Sequence, residues 1–198
     1  MSVASRISLA LALVAASPVT LALNVLQNGD MVGGTSGWNL SASGGGSAGS
    51  ESFFGSPAGG SMRLQSYTFG AISHADQCVD VHKWITIDFA LRKFVNGESG
   101  SGTHPFKLTF YDAADCGGNM LDSVALPEAG IAMSGDGSNP ASGWIEVALL
   151  GTVIPVGTIS ARVDLDAIAG ASGVSYYLLD HVQVGPFDVI FPDDFEDM

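Results

Sequence analysis

The chain has 198 residues, of which 46% are hydrophobic and 26 are glycine, and its 20 acidic residues against 7 basic ones give a formal charge of −13. That length suits one domain with a full hydrophobic core. The charge repels phosphate backbones and anionic bilayers and so tells against nucleic acid as a partner; neutral glycans, cationic surfaces and divalent cations stay open, as does solubility alone.

At the N-terminus, Arg6 precedes an apolar run over residues 7–16, and Thr20-Leu-Ala22 offers small residues at a cleavage site, the pattern of a secretory signal removed after Ala22. The run ends at Ser17-Pro18 and is far short of the ~20 apolar residues that cross a bilayer. The expected organisation is a signal peptide at 1–22, one β-sandwich at 23–185 and an acidic, aromatic tail at 186–198. No later run is long enough to span a membrane, so the mature product is expected to be secreted or periplasmic. Disulfides form there, and Cys78 and Cys116, the two cysteines, predict one structural bridge worth about 4 kcal/mol by loop closure.

The most specific stretch follows: Asn24-Val-Leu-Gln-Asn-Gly-Asp-Met-Val-Gly-Gly-Thr-Ser-Gly-Trp38. It reads as an apolar strand running into a turn, because Asn28 can bond its own backbone and Gly29 accepts positive φ. Asn28, Gly29, Gly34, Gly37 and Trp38 resemble the opening of carbohydrate-binding modules of the family 4/9/22 type, and Tyr176-Tyr-Leu-Leu-Asp-His-Val-Gln-Val184 is similar to their last strand. The resemblance implies a galactose-binding-like jelly roll whose first and last strands are neighbours. It also implies a structural calcium ion where the first turn meets the last strand, with Asp180 as one ligand, although Val32 stands where the family has Glu and His181 replaces the second acid.

Between these ends, residues 41–50 are low in complexity and read as a flexible loop. Ser61–Ser66 is a short alternating strand. Over 78–94, Ile85, Ile87, Phe89 and Leu91 fall on one face and Trp84, Thr86, Asp88 and Arg92 on the other; over 104–111, Phe106, Leu108 and Phe110 face in while Lys107, Thr109 and Tyr111 face out. Strands at 144–149 and 158–166 follow, the second with Arg162, Asp164 and Asp166 towards solvent. Many short strands without a persuasive amphipathic helix argue for an all-β, antiparallel sandwich of jelly-roll type. The tail contains Ile190-Phe-Pro-Asp-Asp-Phe-Glu196 and resembles the Ile-Phe-x-Asp-Gly-Phe-Glu ends of many secreted bacterial proteins, with Asp194 in place of Gly; it reads as a frayed end, a strap on the domain or a sorting or protein-docking segment.

Catalytic patterns fail on context. Gly45-Gly-Ser-Ala-Gly49 matches G-x-S-x-G but lacks the strand before and the helix after. His74, His82, His104 and His181 have no zinc-hydrolase spacing, and no strand carries the carboxylate pair of a glycanase. Sugar binding needs flat aromatic faces with polar groups around them. Trp84 and Tyr111, with Asp88 and Arg92 on the same parity and Lys107, Phe53 and Phe54 beside them, are the candidates; burial of Trp84 under a loop or the opposite sheet is the alternative, and Trp38 and Trp144 read as core or edge packing. The expected function is reversible, non-catalytic binding of a poly- or oligosaccharide. The alternative is an extracellular structural or adhesive protein that binds another protein and has no sugar site.

Overall fold

The computed structural model describes residues 24–52, 60–95, 105–127, 144–170 and 175–186. Phe53, Phe54, His104, the expected signal segment at 1–22 and residues 187–198 lie outside them. Among the described residues ten strands form two antiparallel five-stranded sheets, ordered β1-β4-β9-β6-β7 and β2-β3-β10-β5-β8. The strands are β1 (Asn39–Ser43), β2 (Gly46–Glu51), β3 (Ser61–Ser66), β4 (Ile72–Asp80), β5 (Thr86–Val95), β6 (Phe106–Tyr111), β7 (Met120–Ala125), β8 (Ile145–Val153), β9 (Ser160–Ile168) and β10 (Ser175–Pro186).

Period-two alternation sets the core. Met62 and Leu64, Phe89 and Leu91, Tyr177 and Leu179 from one sheet meet Phe106, Leu108 and Phe110, Val163 and Leu165 from the other. Ile85, expected to join them, is 81% exposed, because β5 begins one residue later and its register with β8 shifts between Ile87 and Phe89. A disulfide joins Cys78 of β4 to Cys116, in the loop between β6 and β7, as the cysteine count predicts.

The low-complexity stretch is not a loop. It forms β1 and β2, joined at Gly44-Gly45 with φ of 63° and 100°, and its two arms enter opposite sheets. Strand pairing uses only backbone groups, so Ser, Ala and Gly suffice at a sheet edge, where few contacts call for large side chains. A Cβ on Gly46 would lie 2.3 Å from the Ile72 carbonyl oxygen, so the crossing from β1 into β2 needs glycine here to seat against β4. Beside it, Ser66 of one sheet bonds Ser73 Oγ at 3.0 Å and donates to the Ala167 carbonyl of the other at 3.0 Å, a buried polar tie between the layers.

The first segment departs from expectation as well: residues 24–38 form turns rather than a strand. Side chains hold them in place of a ladder. Asn24 donates to the Val182 carbonyl (2.9 Å) and its Oδ1 accepts from the amides of Leu26 and Val184 (3.1 Å each). Asn28, at φ 52°, accepts from the Gly33 amide (2.8 Å) and donates to the Gly34 carbonyl (2.6 Å). The Trp38 indole reaches the Asn28 carbonyl at 3.4 Å. Gly29 passes so close to β10 that a Cβ on it would stand 2.1 Å from Val182 O. Gly29→Ala therefore forces this contact apart and should cost about 2 kcal/mol or more, read as a lowered urea midpoint at unchanged m-value; a midpoint equal to the parent's would show that the segment can lift off β10 freely.

Candidate functional site

Parity defines the outward face of the β2-β3-β10-β5-β8 sheet. Since Leu64, Tyr177, Leu179, Phe89, Leu91 and Val147 point into the core, Arg63 and Gln65, Tyr176, Leu178 and Asp180, Arg92 and Phe94, and Glu146 point away from it. Register aligns them in rows. Gln65 opposes Tyr176, Arg63 opposes Leu178, Leu178 opposes Phe94, and Asp180 opposes Arg92, which in turn opposes Glu146. Trp144 extends the apolar row, its ring 5.7 Å from that of Phe94.

The two halves of this face differ in access. Leu178, Asp180, Asp88, Arg92 and Phe94 are buried. On the β2–β3 side, Arg63, Gln65 and Tyr176 are half-buried and Tyr67, just past β3, is 53% exposed. The Arg63 guanidinium stands 3.6 Å from the Glu51 carboxylate and acts electrostatically on the Tyr176 hydroxyl. Burial, reinforced by the charge of Glu51, raises the Tyr176 phenol above its ordinary value, so it keeps its proton and stays a neutral aromatic group with a polar tip. At the corner of this half a cavity of about 420 Å³ is lined by Met31, Gly34, Ser50, Glu51, Ser52 and Arg63.

The residues singled out in the sequence are dispersed. β5 and β6 follow one another in the chain but belong to opposite sheets, so the shared platform expected of Trp84 and Tyr111 does not form. Trp84 lies in the turn before β5, its amide bonded to the Val81 carbonyl at 2.9 Å, half-buried against the core. Tyr111 ends β6, is buried, and lies under the Arg162 guanidinium at 5.4 Å from the ring centroid. Asp88 and Arg92 do share a face, but Asp88 accepts from the Gly151 amide at 2.6 Å and so pins the irregular β5–β8 pairing, and Arg92 sits between Asp180 and Glu146. Arg63, Tyr67, Tyr176 and Glu51 went unmarked as site residues; the alternation of Ser61–Ser66 already put Arg63 and Gln65 outward.

The outward face of the other sheet is a closed polar grid. Asp164, expected at the solvent, is 1% exposed, accepting from Thr109 Oγ1 at 2.7 Å with Arg162 Nε 2.6 Å away. Lys107 opposes Asp164 across β6 and β9. His74 lies between Asp166, 2.6 Å from Nδ1, and Asp76, 3.0 Å from Nε2, and Asn39 on β1 donates to the second oxygen of Asp76 at 3.1 Å. Ser41 opposes His74 in register, so a serine, a histidine and an acid stand in line. The nitrogen that would activate the serine faces Asp76 instead, and a general base needs that contact. Ser47 of the G-x-S-x-G match lies on edge strand β2, its amide donating to Ser73 Oγ at 3.0 Å, not on a strand-to-helix elbow.

Among the described residues no group of three or more His, Cys, Asp or Glu side chains is placed to hold a metal ion. Asp180 is buried, opposes Arg92 and accepts the His181 amide at 2.7 Å; Val32, at the position of the family's Glu, is an exposed apolar side chain. Of the two side chains named for the implied ion, Asp180 brings a carboxylate and Val32 brings no oxygen, whereas a hard cation wants several oxygens at once. Among the same residues no helix is long and apolar enough to cross a membrane.

No family model and no curated protein matches the chain. Solved structures do. The enzymatically active domain of a tailspike protein of bacteriophage CBA120 superposes with a TM-score of 0.59 at 19% identity, over 82% of this chain but only 21% of the tailspike chain. TmCBM61, solved in complex with β-1,4-galactotriose, gives 0.53 at 14% identity, covering 83% of this chain and 99% of the module. The CBM22-1 xylan-binding domain of Paenibacillus barcinonensis Xyn10C gives 0.51 at 16%, covering 78% and 89%. The fold is therefore the jelly-roll sandwich of carbohydrate-binding modules, as the Asn28–Trp38 and Tyr176–Val184 signatures imply.

The two carboxylates around His74 raise its pKa above the ordinary 6.5, Asp166 contributing most, against the lowering effect of burial. A folded-state pKa above the unfolded one means that this stabilisation is complete below about 6.5 and is lost as pH rises through the folded value. Melting temperature should thus fall with rising pH across that window more steeply for the parent than for His74→Gln; parallel curves would show that the imidazole carries no charge in the grid.

Proposed function

We propose that the chain is a secreted, non-catalytic module that binds a poly- or oligosaccharide reversibly on the outward face of the β2-β3-β10-β5-β8 sheet, at its β2–β3–β10 side. The observation that carries this reading is the joining of Tyr176, Arg63 and Glu51 on an accessible part of a rigid sheet, with Tyr67 and Gln65 at its border. A phenol ring offers an apolar surface for the C–H face of a sugar, and the guanidinium and carboxylate offer a donor and an acceptor for its hydroxyls. Strands hold these groups more firmly than loops would. The structural likeness to modules crystallised with or named for glycans supports the reading at the level of fold only. The disulfide and the signal-like N-terminus support an extracytoplasmic setting.

A screen of the mature protein against soluble and insoluble polysaccharides tests it. Saturable binding is expected, with Tyr176→Ala and Arg63→Ala each weakening it about tenfold, the scale of one aromatic or charge-assisted contact, and Lys107→Ala on the opposite sheet leaving it unchanged. Binding that all three variants retain would place the site elsewhere. A protein that captures no glycan would instead be read as an adhesive or structural domain.

A further inference from the structure

We infer that the corner cavity beside Arg63 is a subsite for one uncharged sugar unit, whose neighbouring hydroxyls bridge Arg63 and Glu51; the inference rests on the glycan-binding reading above and specifies its ligand class. The cavity, about 420 Å³, falls at the small end of the ~300–1,000 Å³ typical of ligand sites. Its walls are kept low by small residues. Gly34 and Gly60 hold φ of 69° and 141°, where a side chain is disfavoured, and a Cβ on Gly34 would come into contact with Ser50 at 3.4 Å. Met31, also at the lining, is fully buried.

The polar pair decides the ligand. At 3.6 Å, the Arg63–Glu51 contact is longer than a hydrogen bond, and the two side chains are only 33% and 15% exposed. Arg63 Nε is buried and has no hydrogen-bond partner among the described residues. Glu51 Oε1 accepts the Ser52 amide at 2.9 Å, and a carboxylate has lone pairs beyond that one; a hydroxyl both donates and accepts, so two adjacent hydroxyls can accept from the guanidinium and donate to the carboxylate. An anionic sugar is treated differently. Glu51 already balances the charge of Arg63, and 20 acidic against 7 basic residues in the chain set up a field that repels a second carboxylate. The pocket is therefore built for a neutral pyranose and against a uronic acid.

The test titrates the folded mature protein, followed by amide chemical shifts, with methyl glycosides of glucose, galactose, mannose and xylose and with glucuronic and galacturonic acids. At least one neutral glycoside should saturably shift the amides of Gly34, Ser52 and Gly60, with the acids binding at least about tenfold more weakly. Glu51→Gln should reverse that order by leaving the Arg63 charge uncompensated, and Ser52→Trp, at an exposed position, should abolish the monosaccharide shifts while the melting temperature stays at the parental value. Shifts absent from these three amides, in a protein that still binds a polysaccharide through Tyr176, would overturn the subsite and leave the glycan-binding reading standing; a preference of the parent for the acids would overturn the ligand class. Absence of binding to any sugar or polysaccharide would overturn both.

Discussion

The carbonyl of Val182 is where this fold closes. It accepts the Asn24 side chain at 2.9 Å and leaves no room for a side chain on Gly29, while the Val182 amide donates to the Gly29 carbonyl at 2.8 Å. The first segment is thereby fixed to the last strand without forming a strand itself. The same place is where β10 bends: its register against β5 shifts between Asp180 and Gln183, and His181 takes φ 46°. A bulge of this kind re-aims the side chains beyond it. N-terminal to it, Tyr176, Leu178 and Asp180 face outward; past it Val182 and Val184 return to the core. The motif that seats the N-terminus and the outward row that contains Tyr176 thus depend on one irregularity.

The two outward faces solve the same chemical problem in different ways. On the β4–β9–β6 face polar groups answer one another along and across strands, from Asn39 to Asp76 to His74 to Asp166, and from Arg162 to Asp164 to Thr109. Such a grid fixes register and leaves little for a ligand to satisfy. The face with Arg63 and Tyr176 mixes aromatic and charged groups at looser spacing, next to a cavity. Geometry of this kind gains from a partner that brings hydroxyls.

Local alternation made much of the fold legible. Met62 and Leu64, Phe106, Leu108 and Phe110 face the core as their spacing requires, and the two cysteines pair as expected. Legibility failed where the determining contact was not local. Residues 41–50 carry no side chains that mark a strand, since their pairing with β3 and β4 is made by backbone alone. Trp84 and Tyr111 read as neighbours because parity describes one strand at a time and cannot say which sheet a strand enters. Asp88 and Arg92 read as exposed for a related reason: parity gives direction, and burial depends on what else lies over the face. Arg63 was legible by parity, but its partner Glu51 lay at the end of a stretch that did not look like structure.

Charge economy links these readings. Leaving aside Arg6 in the signal-like segment, six basic residues serve 20 acidic ones, and the arginines are each set against carboxylates: Arg63 by Glu51, Arg92 between Asp180 and Glu146, Arg162 on Asp164. A chain so short of cations gains little by using one for long-range attraction, because the surrounding field has the opposite sign. What a locally balanced guanidinium can still do is donate several directed hydrogen bonds from a rigid fork. Recognition by such a surface must come from hydrogen-bond geometry and apolar contact rather than from net charge, and that demand is met by ligands dense in hydroxyls and poor in charge.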